Sequence, residues 1–128
     1  METIELAIEK TMVPLELSVA KEMVARYGAT RKTLIDETYG INDTKSVWVS
    51  LDKLKEFINQ LPESATGVRI YLAAYDHTEP VYPDQTTAIF IGTVEKGGRD
   101  TDAMESTALF DLGGLDPFNR ARACPPYC

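Results

Sequence analysis

The stretch Ser46-Val-Trp-Val-Ser-Leu-Asp-Lys-Leu-Lys-Glu-Phe-Ile-Asn-Gln-Leu-Pro62 changes its hydrophobic period at Ser50, and its reading decides the fold. Val47 to Val49 is short, β-branched and aromatic, which favours a strand. Ser50 carries a side-chain oxygen suited to capping a helix. Asp52 falls in the first turn, where the helix dipole favours an anion, and Leu51, Leu54, Phe57, Ile58 and Leu61 recur at helical spacing. Pro62 closes the segment. A strand that runs straight into a capped amphipathic helix places that helix against a sheet.

Downstream, Val68 to Tyr75 alternates, with Val68, Ile70, Leu72 and Ala74 on one face and Arg69, Tyr71, Ala73 and Tyr75 on the other. Thr87 to Val94 reads as a further strand, apolar on both faces. The connection Asp76 to Thr86 contains Pro80 and Pro83 and is long enough for an antiparallel pair. Residues 95–106, with Gly97-Gly98 and four acids, read as an exposed turn, and Thr107 to Leu112 as a short last strand. Upstream, Leu15, Val19, Met23, Val24 and Tyr27 follow Pro14 at helical spacing. Ser18 suits a cap for a later start and Gly28 suits the end, while residues 29–43 extend this helix or form a second. The expectation is an α+β fold, with N-terminal amphipathic helices packed on a small, mainly antiparallel sheet. Residues 1–115 form one domain, and residues 116–128 an irregular tail docked on it.

The totals fit this scheme. The chain has 128 residues, 44% apolar and 26% charged, enough for one core and typical of a folded globular protein. Its net charge of −7 is uneven: residues 63–116 hold ten acids and three bases, and the last twelve only Arg120 and Arg122. Such a surface disfavours nucleic acid and anionic membranes and suits a basic protein partner or a metal ion. No run approaches the ~20 apolar residues of a membrane helix. The first residues, Met-Glu-Thr-Ile-Glu-Leu, are acidic where a signal peptide is basic, so the expected location is cytoplasmic and the expected state of the cysteines is the thiol.

Val47-Trp-Val-Ser-Leu-Asp-Lys-Leu-Lys-Glu-Phe-Ile58, Gly67-Val-Arg-Ile-Tyr-Leu72, Thr86-Thr-Ala-Ile-Phe-Ile91, Leu112-Gly-Gly-Leu115 and Cys124-Pro-Pro-Tyr-Cys128 together resemble a group of small uncharacterised bacterial proteins, over roughly residues 15–128. Gly-Val-Arg-Ile-Tyr and the Cys-Pro-Pro-X-Cys ending are the most specific parts. The resemblance brings no activity and no catalytic residue. In that group Leu-Gly-Gly-Leu runs almost directly into the Cys-Pro-Pro ending. Here Asp116 to Ala123 intervenes, which puts the docking of this tail in question.

Two places hold candidate chemistry. Cys124 and Cys128 are the only cysteines, and three intervening residues with two prolines rule against a thioredoxin-like site, which needs two and a helix N-terminus. In polyproline II form their α-carbons would stand about 12 Å apart against a bridging limit of ~7 Å, so a disulfide requires a tight turn, which a cis Pro-Pro bond supplies. Zinc would draw on Cys124, Cys128 and His77, with a fourth ligand from Asp76, Glu79 or the terminal carboxyl. In the plainest reading Tyr127 and the two sulfurs dock as small apolar groups and bring Arg120 and Arg122 towards the acidic half.

The second place is Tyr75-Asp-His-Thr-Glu-Pro-Val-Tyr-Pro-Asp84, which concentrates Asp76, His77, Glu79 and Asp84. A histidine oriented by a carboxylate can act as a base or bind a metal, but no second histidine, nucleophile or oxyanion donor accompanies it. The same composition describes a proline-stiffened connection. Neither Gly97-Gly98 nor Gly113-Gly114 has the lysine and hydroxyl residue of a phosphate loop. Trp48 is expected to anchor the strand-to-helix junction. The functional expectation is a non-enzymatic, acidic protein-interaction domain without cofactor and with its oligomeric state open. The alternatives are a metal-binding or hydrolytic enzyme built on the His77 loop, and a thiol-regulated protein.

Overall fold

A computed structural model describes residue 8, residues 11–102 and residues 118–128. The strand expected at Thr107 to Leu112 and the Leu112-Gly-Gly-Leu115 turn lie outside the described residues. The architecture is α+β. Among the described residues there is a two-stranded sheet and a three-stranded sheet, the latter built from the strands Ala65–Ala74, Thr86–Lys96 and Arg99–Asp102 in that order.

The strand-to-helix unit forms as its local chemistry dictates. Strand β1 (Ser46–Trp48) leads into α3 (Leu51–Asn59), and the Ser50 hydroxyl accepts a bond of 3.1 Å from the Lys53 backbone N–H. The cap satisfies one of the orphan donors of the first turn. From α3, Phe57 is 2% exposed, its ring 4.9 Å from that of Phe118 and 6.3 Å from that of Phe90. Leu61 follows and seats on Gly92, where any Cβ would overlap the leucine side chain. A glycine in a strand interior here marks a close approach of helix to sheet.

Strands β2 (Ala65–Ala74) and β3 (Thr86–Lys96) pair antiparallel, with Ile70 opposite Phe90 and Arg69 opposite Ile91. The alternation therefore divides two faces. One carries Phe90 and Gly92 towards α3; the other carries the buried Ile91, packed against Tyr71 and Ile89. On this second face the fully buried Asp102 accepts hydrogen bonds from the Arg69 guanidinium and the Tyr71 hydroxyl. Its charge is tolerated inside because it is both paired and hydrogen-bonded.

The structure departs from the sequence reading in three places. Gly28 does not end the first helix. The chain stays helical from α1 (Leu17–Tyr27) through a π-helical turn (Gly28–Lys32) into α2 (Thr33–Tyr39), and stops at Gly40 with φ of 63°. Gly28 has ordinary helical angles, and Thr33 Oγ1 donates to its carbonyl at 2.7 Å, so the hydroxyl holds the wide turn that lets the helix run on. Ser18 lies inside α1, whose N-cap Glu16 makes no side-chain bond, and Leu17, Met23 and Val24 are exposed.

Of the exposed turn expected over 95–106, residues 103–106 lie outside the described residues, and among the described ones the turn is Gly97-Gly98 alone. Arg99–Asp102 is a strand, β4, pairing with β3, because Asp102 turns inward to meet Arg69 and Tyr71. The tail is not irregular throughout. Arg122–Cys124 forms β5, antiparallel to β1 with Trp48 opposite Arg122, and Phe118 exchanges backbone bonds of 2.8 and 2.9 Å with Phe90. Ala121 and Ala123 are buried while Arg120 and Arg122 face outward, which is the period-two pattern of a half-buried strand. Among the described residues no helix is long and apolar enough to cross a membrane.

Candidate functional site

The two places singled out in the sequence meet at one end of the molecule. The junction is Asp43, fully buried, whose carboxylate accepts from the Thr86 backbone N–H and the Thr86 hydroxyl, each at 2.7 Å. Next to it the Gln85 amide donates to Thr44 Oγ1 at 3.2 Å and to the Pro125 carbonyl at 2.8 Å, while Lys45 N–H donates to the Cys124 carbonyl at 2.7 Å. These bonds fasten the tail to the start of β3.

The tail itself is closed. Cys124 and Cys128 form a disulfide with α-carbons 4.6 Å apart. The Cys124–Pro125 and Pro125–Pro126 bonds are cis, and Tyr127 N–H returns to the Ala123 carbonyl at 2.9 Å. The expectation of thiols is thereby corrected: the segment turns instead of extending as polyproline II, and the sulfurs meet. Among the described residues no group of three or more His, Cys, Asp or Glu side chains is placed to hold a metal ion, and His77 is exposed.

The loop acids are engaged with their own backbone. Asp76 Oδ1 accepts from the Thr78 hydroxyl at 2.6 Å and the Thr78 N–H at 2.9 Å, and these bonds hold its carboxyl below the usual range. Glu79 is held low first by the Tyr82 N–H and further by the Arg120 guanidinium, which meets it at 2.6 Å. Both act as turn-forming side chains. Asp84 has a left-handed backbone, φ 60°, and donates its N–H to the Asp76 carbonyl at 3.2 Å.

At the junction two guanidiniums lie on a set of rings, of which Trp48 and Tyr127 are exposed and Tyr82 is buried. Tyr75 and Tyr82 stack at 5.5 Å, and Tyr82 meets the edge of Tyr127 at 6.2 Å. Arg120 lies 5.2 Å from the Tyr75 centroid and 5.7 Å from that of Tyr82. Arg122 lies 5.0 Å from the Trp48 centroid and 5.8 Å from that of Tyr127. Arg120 adopts φ of 73°, a conformation that costs a non-glycine residue about 1 kcal/mol or more, and its ion pair with Glu79 and its two rings hold it there. The Tyr75 hydroxyl donates to Asn119 Oδ1 at 3.0 Å, and the Asn119 amide donates to the Ala88 carbonyl at 2.6 Å.

The structure therefore joins Glu79, Arg120, Arg122, Cys124, Tyr127 and Cys128, and leaves His77 outside the cluster of rings. Sequence reasoning missed Tyr75 and Tyr82 as partners of the tail. It placed Trp48 at a structural junction, although this ring is 55% exposed and carries Arg122. The available signal was the Arg-Ala-Arg-Ala alternation from Arg120, which reads as a strand with two arginines on one face.

Reduction of the disulfide is expected to lower stability by about 2 kcal/mol from loop-closure entropy, a fall of roughly 5–10 °C in Tm for a chain of this size. Thermal melts with and without reductant, paired with intact mass after alkylation, check this. An unchanged Tm in fully alkylated protein would show that the backbone bonds alone hold the tail. No family model, no curated protein and no solved structure matches the chain.

Proposed function

We propose that this chain is a non-enzymatic protein-interaction domain and that the arginine–aromatic face is its contact surface. One observation carries the reading: Arg120 and Arg122 are each laid across two aromatic rings on an outward face, with Trp48 and Tyr127 more than half exposed. Trp, Tyr and Arg are the residues that dominate binding energy at protein interfaces. Ring contacts and the Glu79 pair order these long side chains beforehand, so less side-chain entropy is lost on association. The hydrolytic alternative draws less support, because Asp76 and Glu79 are bonded to the loop backbone.

Thiol regulation has one observation in its favour. The disulfide closes the segment that holds Tyr127 against Arg122 and Tyr82, so opening it would loosen one side of the same surface. A disulfide also suits an oxidising compartment better than the cytoplasmic location expected from the acidic first residues. The test of the main reading places a photoreactive benzoylphenylalanine at position 127, or at Lys96 at the far end of β3, in cells that make the protein. Discrete adducts from position 127 and none from position 96 are expected. Equal labelling from both positions, or loss of biological activity in a folded His77→Ala variant, would overturn it.

A further inference from the structure

Beside the arginine–aromatic face a cleft of about 530 Å³ opens between α3, β1 and residues 118–122. That is the size of a ligand site. Its floor is apolar, made by Leu54, Phe57, Phe90 and Phe118. Among the described residues, the charged side chains that line it are Lys53, Arg120 and Arg122, in a chain whose net charge is −7. Basic side chains thus gather at an apolar floor in a chain of opposite net charge.

The cations are not equivalent. Lys53 pairs with Glu56 at 3.1 Å and Arg120 with Glu79 at 2.6 Å, whereas Arg122 rests on the Trp48 and Tyr127 rings with no ion pair among the described residues. The rings fix its position and leave its charge to be matched from outside.

The cleft also continues. Trp48 and Arg122 form a wall shared with a second, shallower lobe of about 570 Å³, lined by Ser46, Val47, Tyr127 and Cys128. A compact molecule fills one lobe; an extended chain fills both. Strand β1 borders both lobes and pairs with β5 alone, so one of its edges is open to an added strand among the described residues.

From this we propose that the two-lobed groove receives an extended acidic peptide segment of a partner protein. The segment places large apolar side chains in the phenylalanine-lined lobe and its carboxylates on Arg122 and Lys53. This rests on the interaction reading above and adds the chemistry of the partner.

Trp48, the only tryptophan, stands between the lobes and reports occupancy by its fluorescence. The probe is the acetylated and amidated peptide Glu-Phe-Asp-Leu-Glu-Phe. The controls are its Gln/Asn counterpart, a version with serine at the apolar positions, and laurate as an amphipathic carboxylate without a peptide chain. A saturable change with the acidic peptide is expected, weakened at least tenfold for either control peptide and for Arg122→Gln, with a smaller loss for Lys53→Gln. Arg122 is exposed, so its variant should keep the parent melting curve, which is recorded alongside.

Equal binding of the acidic and amide peptides, an unchanged Kd in Arg122→Gln, or occupancy by laurate alone would overturn the proposal. Failure of the peptide with successful crosslinking from position 127 removes this inference and leaves the interaction reading standing. Failure of both removes both.

Discussion

Phe57→Ala is expected to destabilise the folded chain by about 3–5 kcal/mol, the cost of removing a buried aromatic side chain and leaving part of its volume empty. Phe57 is 2% exposed, and its ring is the point where α3 meets both Phe90 of β3 and Phe118 of the tail. Helix α3 has only nine residues and Phe57 is the one it buries, so the alanine variant has little else with which to hold the helix on the sheet. Against a total stability of roughly 5–15 kcal/mol for a domain, this is a large fraction. Urea titration should show a much lower midpoint for Phe57→Ala and a shift of less than about 1 kcal/mol for Ile58→Ala. Ile58, the next residue, is 49% exposed. Equal shifts for the two variants would mean that α3 is not docked through Phe57.

The second large effect is expected at Asp43. Its carboxylate is fully buried and accepts two bonds of 2.7 Å from Thr86, and hydrogen bonds to a charged group contribute about 1.5–3 kcal/mol each. Asp43→Ala removes both and strands the Thr86 N–H, so a loss of about 3 kcal/mol or more is expected. The same change loosens the neighbouring Gln85, which holds both Thr44 and the Pro125 carbonyl. Asp43→Asn keeps the shape, with an amide oxygen for the Thr86 N–H and an amide N–H for the hydroxyl, and should cost less than half as much. Hydrogen exchange at the Thr86 amide together with denaturant midpoints distinguishes the two variants. Wild-type protection in Asp43→Ala would exclude the junction described for this residue.

Much of this fold was legible because the information was local. Ser50 caps the helix that follows it, and the alternation from Val68 to Ala74 sorts the two faces of β2 without reference to anything distant. Gly28 misled because a glycine permits a stop without imposing one, and the deciding atom, the Thr33 hydroxyl, bonds backwards to it. Asp102 misled because its partners, Arg69 and Tyr71, lie a whole hairpin away.

The site was half legible. Cys124 and Tyr127 stood out by type, but nothing in their spacing chose between thiol, metal and disulfide. The acids Asp76 and Glu79 looked like chemistry because a sequence shows a carboxylate and not the N–H groups that occupy it. Net charge was equally blind to position. A total of −7 suits a basic partner, while the groove gathers Lys53, Arg120 and Arg122.

The alternation of the tail carries a consequence of parity. Phe118 is fixed to Phe90 and Cys124 to Ser46, so the count of residues between these clamps decides which side chains look out and which look in. With the present five residues between the clamps, 119–123, Arg120 and Arg122 reach the rings while Ala121 and Ala123 vanish inward. One residue more or fewer would exchange the two sets, burying guanidiniums and displaying methyl groups. The recognition surface is thus encoded in an interval as much as in its residues, and a duplication or deletion in steps of two is the kind of length change it can absorb.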